Sequence, residues 1–506
     1  MTLAQRWTLT ATVLGSAVVF LDSTVVNVAL PRIGQELRSG LFGVLEAQSY
    51  VYNGYLLTLS ALLILAGALS DAYGRRRMYA VGLVGFGVTS ALCGLAPSMD
   101  VLILGRLLQG VAGALLVPGS LALIRAGFPE GEQGRAIGVW SAASSATTLL
   151  GPLVGGVMVD TVGWRVAFLI NVPLVLLALY ALRAVPESGG VRAGRFDWVG
   201  SLVVALAVGG LAFGAIRGQE QGWRDPGAFV ALGLGALATL VFPFWMARVP
   251  HPLVPLSLFR SRTFAAINLS TFLIYGALYV SGYYQAIFFQ GTLGYTALAA
   301  GAVGLPIGLA LSLFSAPVGA MAGRYGPRPF LVAGPLLMAL GLLWLARIPL
   351  SSLPWRATPG DLWPSSGYLP DVLPAMLAFA AGLCLLVAPL TAALMVSVPG
   401  EQAGLGSAIN NAVSRVGPQL AGALIFVLIT LGFQADLERR SPQLTPQQRS
   451  QAAPLNPPPQ TLSPDAQTAV RQSSLRAFHQ AMGLCAVLLG AGAVVNAVGL
   501  PSRRPG

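Results

Sequence analysis

The stretch GALSDAYGRRRMYAVG, residues 67–82, lies between two long apolar runs, and a weaker copy, GAMAGRYGPRPFLVAG, returns at residues 319–334 between two others. A second pair of similar segments, LLGPLVGG at 149–156 and RVGPQLAG at 415–422, has nearly the same separation along the chain. Two repeats at almost one spacing are not expected by chance. The pattern predicts a membrane protein built by internal duplication.

The composition indicates that most of this chain lies in a lipid bilayer. Charged residues make up 9% of its 506 residues and hydrophobic residues 55%, with a mean hydropathy of +0.72, whereas average soluble domains carry about 25% charged residues. All basic residues are arginines. Because a P-loop and a pyridoxal phosphate site both depend on a lysine, this composition excludes both chemistries, and we predict no cofactor.

The net charge of +12 comes from arginines that are spread over short segments between the apolar runs. Nucleic acid binding requires a concentrated basic patch, so this distribution favours a membrane topology signal instead. In membrane proteins, short segments that stay in the cytoplasm are rich in arginine. If the N-terminus is placed inside, the segments on that side of the membrane hold more of the arginines than the short segments on the other side. This asymmetry predicts a multi-pass protein of the cell membrane with both termini in the cytoplasm.

Cysteine and histidine are too few and too scattered to suggest a metal site. Cys93, Cys384 and Cys485 lie inside apolar runs without a CxxC spacing, and His251 and His479 are far apart in the chain. We therefore predict neither a metal centre nor a disulfide bond.

About fourteen apolar runs are long enough to cross a bilayer as helices, at ~20 residues each. The alternating pattern of a membrane β-barrel is absent, so the predicted fold class is an all-α polytopic membrane protein. The predicted division is a six-helix bundle at 1–184, two inserted spans with flanking segments at 185–262, and a six-helix bundle at 263–506. The last part includes a Pro-, Gln- and Ser-rich segment, 432–474, predicted to be a partly ordered external loop.

Four motifs carry a resemblance to a known family: LDSTVVNVALP at 21–31, GALSDAYGRRR at 67–77, LILGRLLQGVAGALLVPG at 102–119 and TTLLGPLVGG at 147–156. With these motifs the chain resembles a fourteen-span member of the major facilitator superfamily, similar to the drug:proton antiporters that act as multidrug exporters. The resemblance implies a major facilitator fold with two inserted helices, and proton-coupled transport of small molecules rather than enzymatic activity.

Asp22 is the predicted proton carrier. It interrupts the first apolar run, and a carboxylate inside a bilayer is unfavourable by about 3 kcal/mol or more unless it faces a cavity, holds a partner or takes up a proton. Burial disfavours the ionised form of a carboxyl group, which suits a residue that loads and unloads protons. The alternative is a hydrogen bond to Thr24 or Asn27 that only packs the helix.

Arg106 interrupts the fourth apolar run and keeps its positive charge. The resemblance places it near the first span, where a pair with Asp22 would couple proton release to conformational change. Alternatively, Arg106 only binds neighbouring carbonyl groups. Gln109, one turn further along, suits either role.

The loop between the second and third apolar runs is a candidate conformational latch, formed by Asp71, Arg75, Arg76 and Arg77. A carboxylate at a helix end beside a basic run can hold two helix ends together and keep one access state closed. The alternative is that the arginines only set the topology. The second copy of the loop lacks the aspartate and the first arginine.

The fifth apolar run carries the antiporter-like motif Gly151, Pro152, Gly155 and Gly156. Proline bends a helix by removing a backbone hydrogen bond, and glycines let a neighbouring helix approach closely. A bent and tightly packed seam suits a barrier against leakage.

The candidate substrate cavity combines aromatic and polar residues from several runs. Tyr275, Tyr279 and Tyr283 recur at helical spacing, and aromatic faces suit lipophilic or cationic ligands, although packing against lipid gives the same pattern. The other candidates are Asn27, Tyr52, Asn53, Tyr55, Gln109, Trp140, Ser144, Asn410, Asn411 and Arg415. Arg415 has no evident carboxylate partner in the second half, so an anionic headgroup or a group in the first half is its expected target.

Together these features predict a monomeric, proton-coupled exporter of lipophilic or amphiphilic compounds such as drugs, which works by alternating access among membrane lipids and confers antibiotic resistance. An exporter of lipids or glycolipids is the alternative, because the 432–474 segment and Arg415 suit headgroup handling. A membrane-embedded enzyme is disfavoured because paired intramembrane carboxylates, a His cluster and a G-x-S-x-G motif are absent. A transport-dead sensor is disfavoured because Asp22 and Arg106 are both present.

Overall fold

A computed structural model describes residues 1–40, 44–189, 196–220, 223, 225–357, 362–445, 448–449 and 452–501. Over these residues the chain forms helices joined by short connections, and it contains no β-strand. The predicted all-α fold is confirmed.

The first part of the chain forms α1 (Leu3–Glu36), α2 (Val44–Tyr73), α3 (Arg75–Gly94), α4 (Met99–Ala114), α5 (Leu116–Gly127), α6 (Glu130–Thr161), α7 (Arg165–Leu169) and α8 (Asn171–Leu182). α4 and α5 are one span interrupted at Leu115, and α7 and α8 are one span interrupted at Ile170. A capping box begins α1, because the side chains of Thr2 and Gln5 each accept a hydrogen bond from the other's backbone N–H.

The rest of the chain forms α9 (Trp198–Glu220), α10 (Pro226–Arg248), α11 (Ser257–Arg260), α12 (Arg262–Gly291), α13 (Ala297–Ala302), α14 (Leu305–Tyr325), α15 (Arg328–Leu345), α16 (Tyr368–Asp371), α17 (Leu373–Val396), a 3-10 turn (Gly400–Gln402), α18 (Ala403–Arg440) and α19 (Pro464–Gly499). Ser261 and Ser463 accept backbone hydrogen bonds at the first turns of α12 and α19. Serine at this position satisfies an N–H group that has no partner within the helix.

Within the described residues, 13 helical segments are long and apolar enough to cross a membrane. α6 is a further helix of 32 residues, and its stretch 136–159 carries no charged side chain. The structure therefore agrees with the prediction of about fourteen spans.

The helices pack as two bundles with the same neighbour relations. In the first bundle, α1 packs against α6 and α8, and α3 packs against α4. In the second, α12 packs against α18 and α19, and α15 packs against α17. These pairs correspond under the internal repeat, as expected if two copies of one unit fold alike. The division at 1–184, 185–262 and 263–506 remains a prediction.

Both chain termini lie at one end of the bundles, which is called the termini end below. Near the N-terminus, Thr8 packs against Gly127 at the end of α5. Near the C-terminus, the Val498 carbonyl accepts a hydrogen bond of 2.8 Å from Arg262 at the start of α12. The two bundles meet at this end, where Arg125 Nη2 donates to the Val398 carbonyl at 2.9 Å.

Small residues let the two bundles approach closely at the termini end. A Cβ atom on Gly67 of α2 would lie 2.5 Å from the Cβ of Ala408 and 2.6 Å from the carbonyl oxygen of Gly404, both on α18. A Cβ atom on Gly138 of α6 would lie 2.9 Å from the Cα of Ala316 on α14. Any side chain at these two glycines would force the helices apart, so the contacts hold the bundles together at this end.

α9 and α10 form a hairpin outside the two bundles. α9 packs against both α2 and α18, and α10 packs on α9. Only 11% of the apolar stretch of α10 is buried. Arg217 of α9 donates hydrogen bonds to Asp225 and to Tyr50 of α2. The hairpin therefore covers the seam where α2 meets α18.

The 432–474 segment is more ordered than the sequence predicts. α18 continues to Arg440 and α19 begins at Pro464. Between them, Leu455 is 1% exposed and its backbone N–H donates to Ser474 Oγ at 3.1 Å. The predicted loop therefore has helical ends, because hydropathy marks where a helix leaves the bilayer, and a polar sequence can continue the same helix beyond it. Its external position stays a prediction.

Candidate functional site

An ion pair between Asp22 of α1 and Arg106 of α4 lies buried in the first bundle. Arg106 Nη1 is 2.6 Å from Asp22 Oδ2, and both side chains are fully inaccessible to solvent. Arg106 Nε also donates to the Val51 carbonyl of α2 at 3.0 Å. The pair therefore joins three helices of the first bundle at one point.

Two amide side chains complete the hydrogen bonding of the carboxylate. Gln109 Nε2 and Asn171 Nδ2 donate to Asp22 Oδ1 at 3.0 and 3.1 Å. Both amides also donate to Ser90 Oγ of α3, at 3.2 and 2.9 Å, and Arg106 Nη1 donates to Gln109 Oε1 at 2.7 Å. We call these five residues the Asp22 cluster.

Two aromatic rings cover the guanidinium group of Arg106. Its Cζ atom lies 4.2 Å from the centroid of the Tyr55 ring and 5.7 Å from that of Phe168. Cation–π attraction contributes about 2 kcal/mol when the cation is desolvated. The rings stabilise the buried charge and exclude water from it.

This geometry links the charge of Asp22 to the positions of five helices, α1, α2, α3, α4 and α8. Leaving one partner of a buried ion pair uncompensated is unfavourable by about 3–5 kcal/mol. When Asp22 takes up a proton, Arg106 loses its counter-charge, and arrangements in which the guanidinium reaches another partner or water become favoured. A change in the charge of Asp22 would therefore change which positions of these helices are favoured.

Asn171 and Ser90 belong to the Asp22 cluster but are absent from the sequence-based candidates. Asn171 follows the interruption of its span at Ile170 and begins α8, so its sequence position suggests a helix end rather than a site. The available signal is an amide inside the apolar stretch LINVPLVLL, 169–177. The reasoning that singles out Asp22 applies equally to that amide.

Four of the predicted cavity residues come together between the two bundles. Tyr52 of α2 lies within electrostatic reach of Tyr279 of α12 and Arg415 of α18, and the ring centroids of Tyr275 and Tyr279 are 6.3 Å apart. Tyr52, Tyr275 and Arg415 are half-buried, whereas Tyr279 is 60% exposed. We use the name central space for the region between α2, α12 and α18 in which these residues interact.

Several other predicted cavity residues have different surroundings. Tyr55 and Gln109 are fully buried beside Arg106. The indole N–H of Trp140 donates to Ser16 at 2.9 Å within the first bundle.

Asn410 and Asn411 also bond within the second bundle. Asn410 Nδ2 donates to Thr271 Oγ1 at 2.9 Å, joining α18 to α12, and Asn411 Nδ2 donates to the Ser407 carbonyl of its own helix at 2.9 Å. The contact of Asn410 joins two helices and that of Asn411 stays within α18, and the assignment of both amides to the cavity stays a prediction.

The remaining candidates lie apart or are only partly described. Tyr283 is 62% exposed and borders a separate cavity of about 270 Å³ between α12, α18 and the segment 452–456. Asn53 is half-buried, Ser144 is buried, and both interact with neighbours. The side chain of Asn27 lies outside the described part of the structure.

The loop after α2 connects the two bundles through Asp71 and Arg75. Asp71 Oδ1 accepts from Arg75 Nε and Nη2 at 3.1 and 3.0 Å, and Asp71 Oδ2 accepts from the backbone N–H of Leu405 at 2.9 Å. Arg75 Nη2 also donates to the Gly400 carbonyl at 2.6 Å. Asp71 thereby caps the N-terminus of α18, where a negative charge is stabilised by the helix dipole.

Arg76 and Arg77 do not take part in this connection. Their backbone N–H groups donate to Glu187 at 2.9 and 3.0 Å, and the Arg76 side chain reaches only the Arg183 carbonyl at 3.4 Å. Their predicted place in the latch is corrected accordingly. The two arginines lie in the first turn of α3, and their hydrogen bonds go to Glu187 and Arg183 rather than to α18.

The antiporter-like motif packs α6 against α1 next to the Asp22 cluster. A Cβ atom on Gly155 would lie 3.1 Å from the Cα of Val25, and a Cβ atom on Gly151 would collide with the hydroxyl of Thr24. The tight seam expected from the glycines is present at these two positions. The side chain of Pro152 and the surroundings of Gly156 lie outside the described part of the structure.

Duplicated helical bundles around a buried, fully paired carboxylate define a membrane transporter. The sequence profile of the Major Facilitator Superfamily matches residues 12–422. The chain therefore belongs to this superfamily, and the resemblance drawn from its motifs is confirmed. Its family consists of transporters, not enzymes.

Similar curated proteins include several with antibiotic-related names. Multidrug resistance protein Stp of Mycobacterium tuberculosis (strain CDC 1551 / Oshkosh) is 35% identical over 86% of this chain and 78% of its own length. The tetracenomycin C resistance and export protein of Streptomyces glaucescens is 33% identical over 83% and 75%. Puromycin resistance protein pur8 of Streptomyces alboniger is 34% identical over 84% and 82%.

Solved structures with the same fold have distant sequences. The human organic anion transporter MFSD10 superposes with a TM-score of 0.63 and 14% identity over 98% of this chain and 100% of its own. The proton:xylose symporter XylE superposes with a TM-score of 0.58 and 16% identity over 97% and 94%. These similarities concern the fold alone.

Proposed function

We propose that this transporter exports lipophilic or amphiphilic compounds, such as drugs, in exchange for protons. The observation that carries the proposal is the pair of Asp22 and Arg106. Among the ion pairs of the described residues, it is the one in which both side chains are fully inaccessible. An ionisable pair held deep inside a membrane bundle is characteristic of a proton pathway.

The names of the similar proteins support the substrate class. Stp is named for multidrug resistance, and the two Streptomyces proteins are named for resistance to, or export of, single antibiotics. Each aligns with most of this chain. Small lipophilic molecules are therefore the proposed cargo, handled by a single copy of the chain in the cell membrane.

Alternating access is supported by the closed contacts at the termini end. Asp71 and Arg75 bind the start of α18 there, and small residues bring α2 and α18 into contact. We assign the termini to the cytoplasm, so the structure corresponds to an outward-facing state. We propose that in this state the central space opens to the outside beside the exposed ring of Tyr279.

The Asp22 cluster then supplies the coupling step. A proton that arrives from outside neutralises Asp22, releases Arg106 and loosens α1 from α4, which favours opening at the termini end. Loss of the proton to the cytoplasm restores the pair and commits bound substrate to outward transfer. Each proton that enters contributes about 2.3 kcal/mol per 100 mV of membrane potential in addition to the pH difference.

Proteoliposomes with an imposed pH gradient test this function. Ethidium, N-phenyl-1-naphthylamine and an NBD-labelled phosphatidylcholine represent a lipophilic cation, a neutral aromatic compound and a lipid. We expect gradient-driven movement of at least one aromatic probe by the wild type and none by Asp22→Asn. Movement of the lipid probe alone would favour the lipid exporter, and movement independent of the gradient would contradict proton coupling.

A further inference from the structure

Arg415 lies on the face of α18 that is turned toward the first bundle. Gly404 and Ala408 of α18 contact Gly67 of α2, and position 415 is two to three turns further along the same face, because a helix repeats every 3.6 residues. Arg415 also lies within electrostatic reach of Tyr52 and of Tyr55, both on α2. Its half-buried side chain therefore borders the central space.

The positive charge of Arg415 has no carboxylate partner among the described residues. Asp22 is the carboxylate nearest the middle of the spans, and its oxygens are already bound by Arg106, Gln109 and Asn171. The charges of Asp22 and Arg106 cancel one another. The central space therefore carries a net positive charge, and an unpaired arginine inside a membrane bundle marks a functional site.

The surroundings of Arg415 suit a ligand with an aromatic body. Tyr275 and Tyr279 of α12 and Tyr52 of α2 provide ring faces together with phenol groups that donate hydrogen bonds. Arginine offers a planar set of donors that matches carboxylate, sulfonate and phosphate groups. The aromatic groups lie on α2 and α12, and α18, which carries Arg415, packs against both helices.

We propose that the central space selects anionic amphiphiles, in which a lipophilic or aromatic body carries one carboxylate, sulfonate or phosphate group that Arg415 binds. The inference rests on the proposed export function and narrows its substrate class. Lipophilic cations are repelled by the same charge. Exchange of one proton for a monoanion would move two charges across the membrane per cycle, so export would respond to membrane potential even without a pH difference.

A matched pair of probes tests the binding step. 1-Anilinonaphthalene-8-sulfonate and N-phenyl-1-naphthylamine differ only in the sulfonate group, and equilibrium dialysis against protein in zwitterionic nanodiscs, corrected with empty nanodiscs, gives their affinities. We expect Arg415→Gln to weaken binding of the sulfonate probe about tenfold or more, because a hydrogen bond to a charged group is lost. The neutral probe should change less than about twofold, and Arg415→Lys should restore part of the loss.

Arg439→Gln is the matched control, because it removes one positive charge from an exposed position of the same helix. An equal loss for both probes in Arg415→Gln, or an equal loss in Arg439→Gln, would overturn the inference, as would tighter binding of ethidium than of the sulfonate probe by the wild type. If dioctanoylphosphatidylglycerol displaces the sulfonate probe and dioctanoylphosphatidylcholine does not, the anionic group that Arg415 binds belongs to a lipid. Failure of both lipids to displace the sulfonate probe would identify a free aromatic acid.

A transport arm separates this inference from the proposed function. Suppose that Arg415→Gln still moves N-phenyl-1-naphthylamine under a pH gradient, and that the wild type and Arg415→Gln bind the sulfonate probe equally well. Proton-coupled export would then stand, and anion selection by Arg415 would be wrong. If neither probe moves under a gradient in the wild type, the proposed function itself fails.

Discussion

Asn171 of α8 donates a hydrogen bond to Asp22, the proposed proton carrier, whereas Arg106 and Gln109 bind it from α4. Its amide donates to Asp22 at 3.1 Å and to Ser90 at 2.9 Å, and its side chain is fully buried. Hydrogen bonds to a charged group contribute roughly 1.5–3 kcal/mol. Asn171 is therefore a positioning residue that ties α8 to the carboxylate on α1.

Asn171→Ala should lower the rate of gradient-driven export about tenfold or more, because one donor to Asp22 is lost. Substrate exchange in the absence of a gradient should change far less. Both rates are measured in the same proteoliposomes. Asn496→Ala is the control, since Asn496 is equally buried and donates to the Leu331 carbonyl in the second bundle. An equal loss of both activities in the two variants would assign Asn171 a purely structural role.

Single functional residues can be predicted from the sequence where a polar or charged side chain interrupts an apolar run, because burying such a side chain in a bilayer is unfavourable. Asp22, Arg106 and Gln109 stand out for that reason, and all three meet in the structure. Tyr52 and Tyr55 lie one turn apart, yet one borders the central space and the other is fully buried against Arg106. Which side of a helix faces a cavity depends on its neighbours, and the apolar pattern of a membrane helix does not record it.

Among the helices, the junction of α2, α3 and α18 determines how the termini end is closed. Asp71 accepts hydrogen bonds from Arg75 and from the first backbone N–H groups of α18. The second copy of the loop has Gly323 and Pro327 at the corresponding positions. The equivalent ionic connection cannot form there, so closure depends on charge on one side and on glycine packing on the other.

Asp71→Ala combined with Arg75→Ala should open the termini end. The hydrogen bonds lost to charged groups contribute roughly 1.5–3 kcal/mol each, which corresponds to a shift of about tenfold or more toward the open state. Spin labels at Gly131 and Val396, both exposed, should report longer distances across the two bundles. Arg76→Ala with Arg77→Ala should leave the distances unchanged, and an equal shift in both double variants would show that the junction is not specific.

The positions of helices follow from hydropathy, whereas their ends and interruptions do not. α18 and α19 extend beyond the bilayer-length apolar runs, because capping and local hydrogen bonds continue a helix in a polar sequence. The interruptions at Leu115 and Ile170 occur within apolar sequence. In each case a proline lies four residues after the end of the preceding helix: Pro118 follows Ala114, and Pro173 follows Leu169. Proline cannot donate to the carbonyl four residues back and its ring crowds that group, so the prolines rather than the hydropathy mark these interruptions.

In the whole molecule, the two seams between the bundles are not equivalent. The hairpin of α9 and α10 covers the seam of α2 with α18. The seam of α6 with α14 is held by close backbone contact at Gly138 and Ala316, and no described helix lies over it. A substrate that enters from the bilayer would therefore meet one shielded seam and one unshielded seam.

The proposed topology predicts which cysteine substitutions react from outside the cell. Gln460→Cys lies in the exposed connection before α19, and Gly131→Cys lies at the termini end. The native cysteines are buried and add little background. An impermeant thiol reagent should label position 460 on intact cells and position 131 only after permeabilisation. The reverse order of labelling would invert the assigned orientation.

The most direct test of the central claim measures protons released when purified protein binds substrate. The ligand is the aromatic probe that moves under a gradient in proteoliposomes, added to weakly buffered protein with a pH indicator. We predict release of protons by the wild type and none by Asp22→Asn, although the variant still binds the probe, because Asn preserves size and hydrogen bonding but cannot carry a proton. Undiminished proton release by Asp22→Asn would contradict the account and assign the proton to another group.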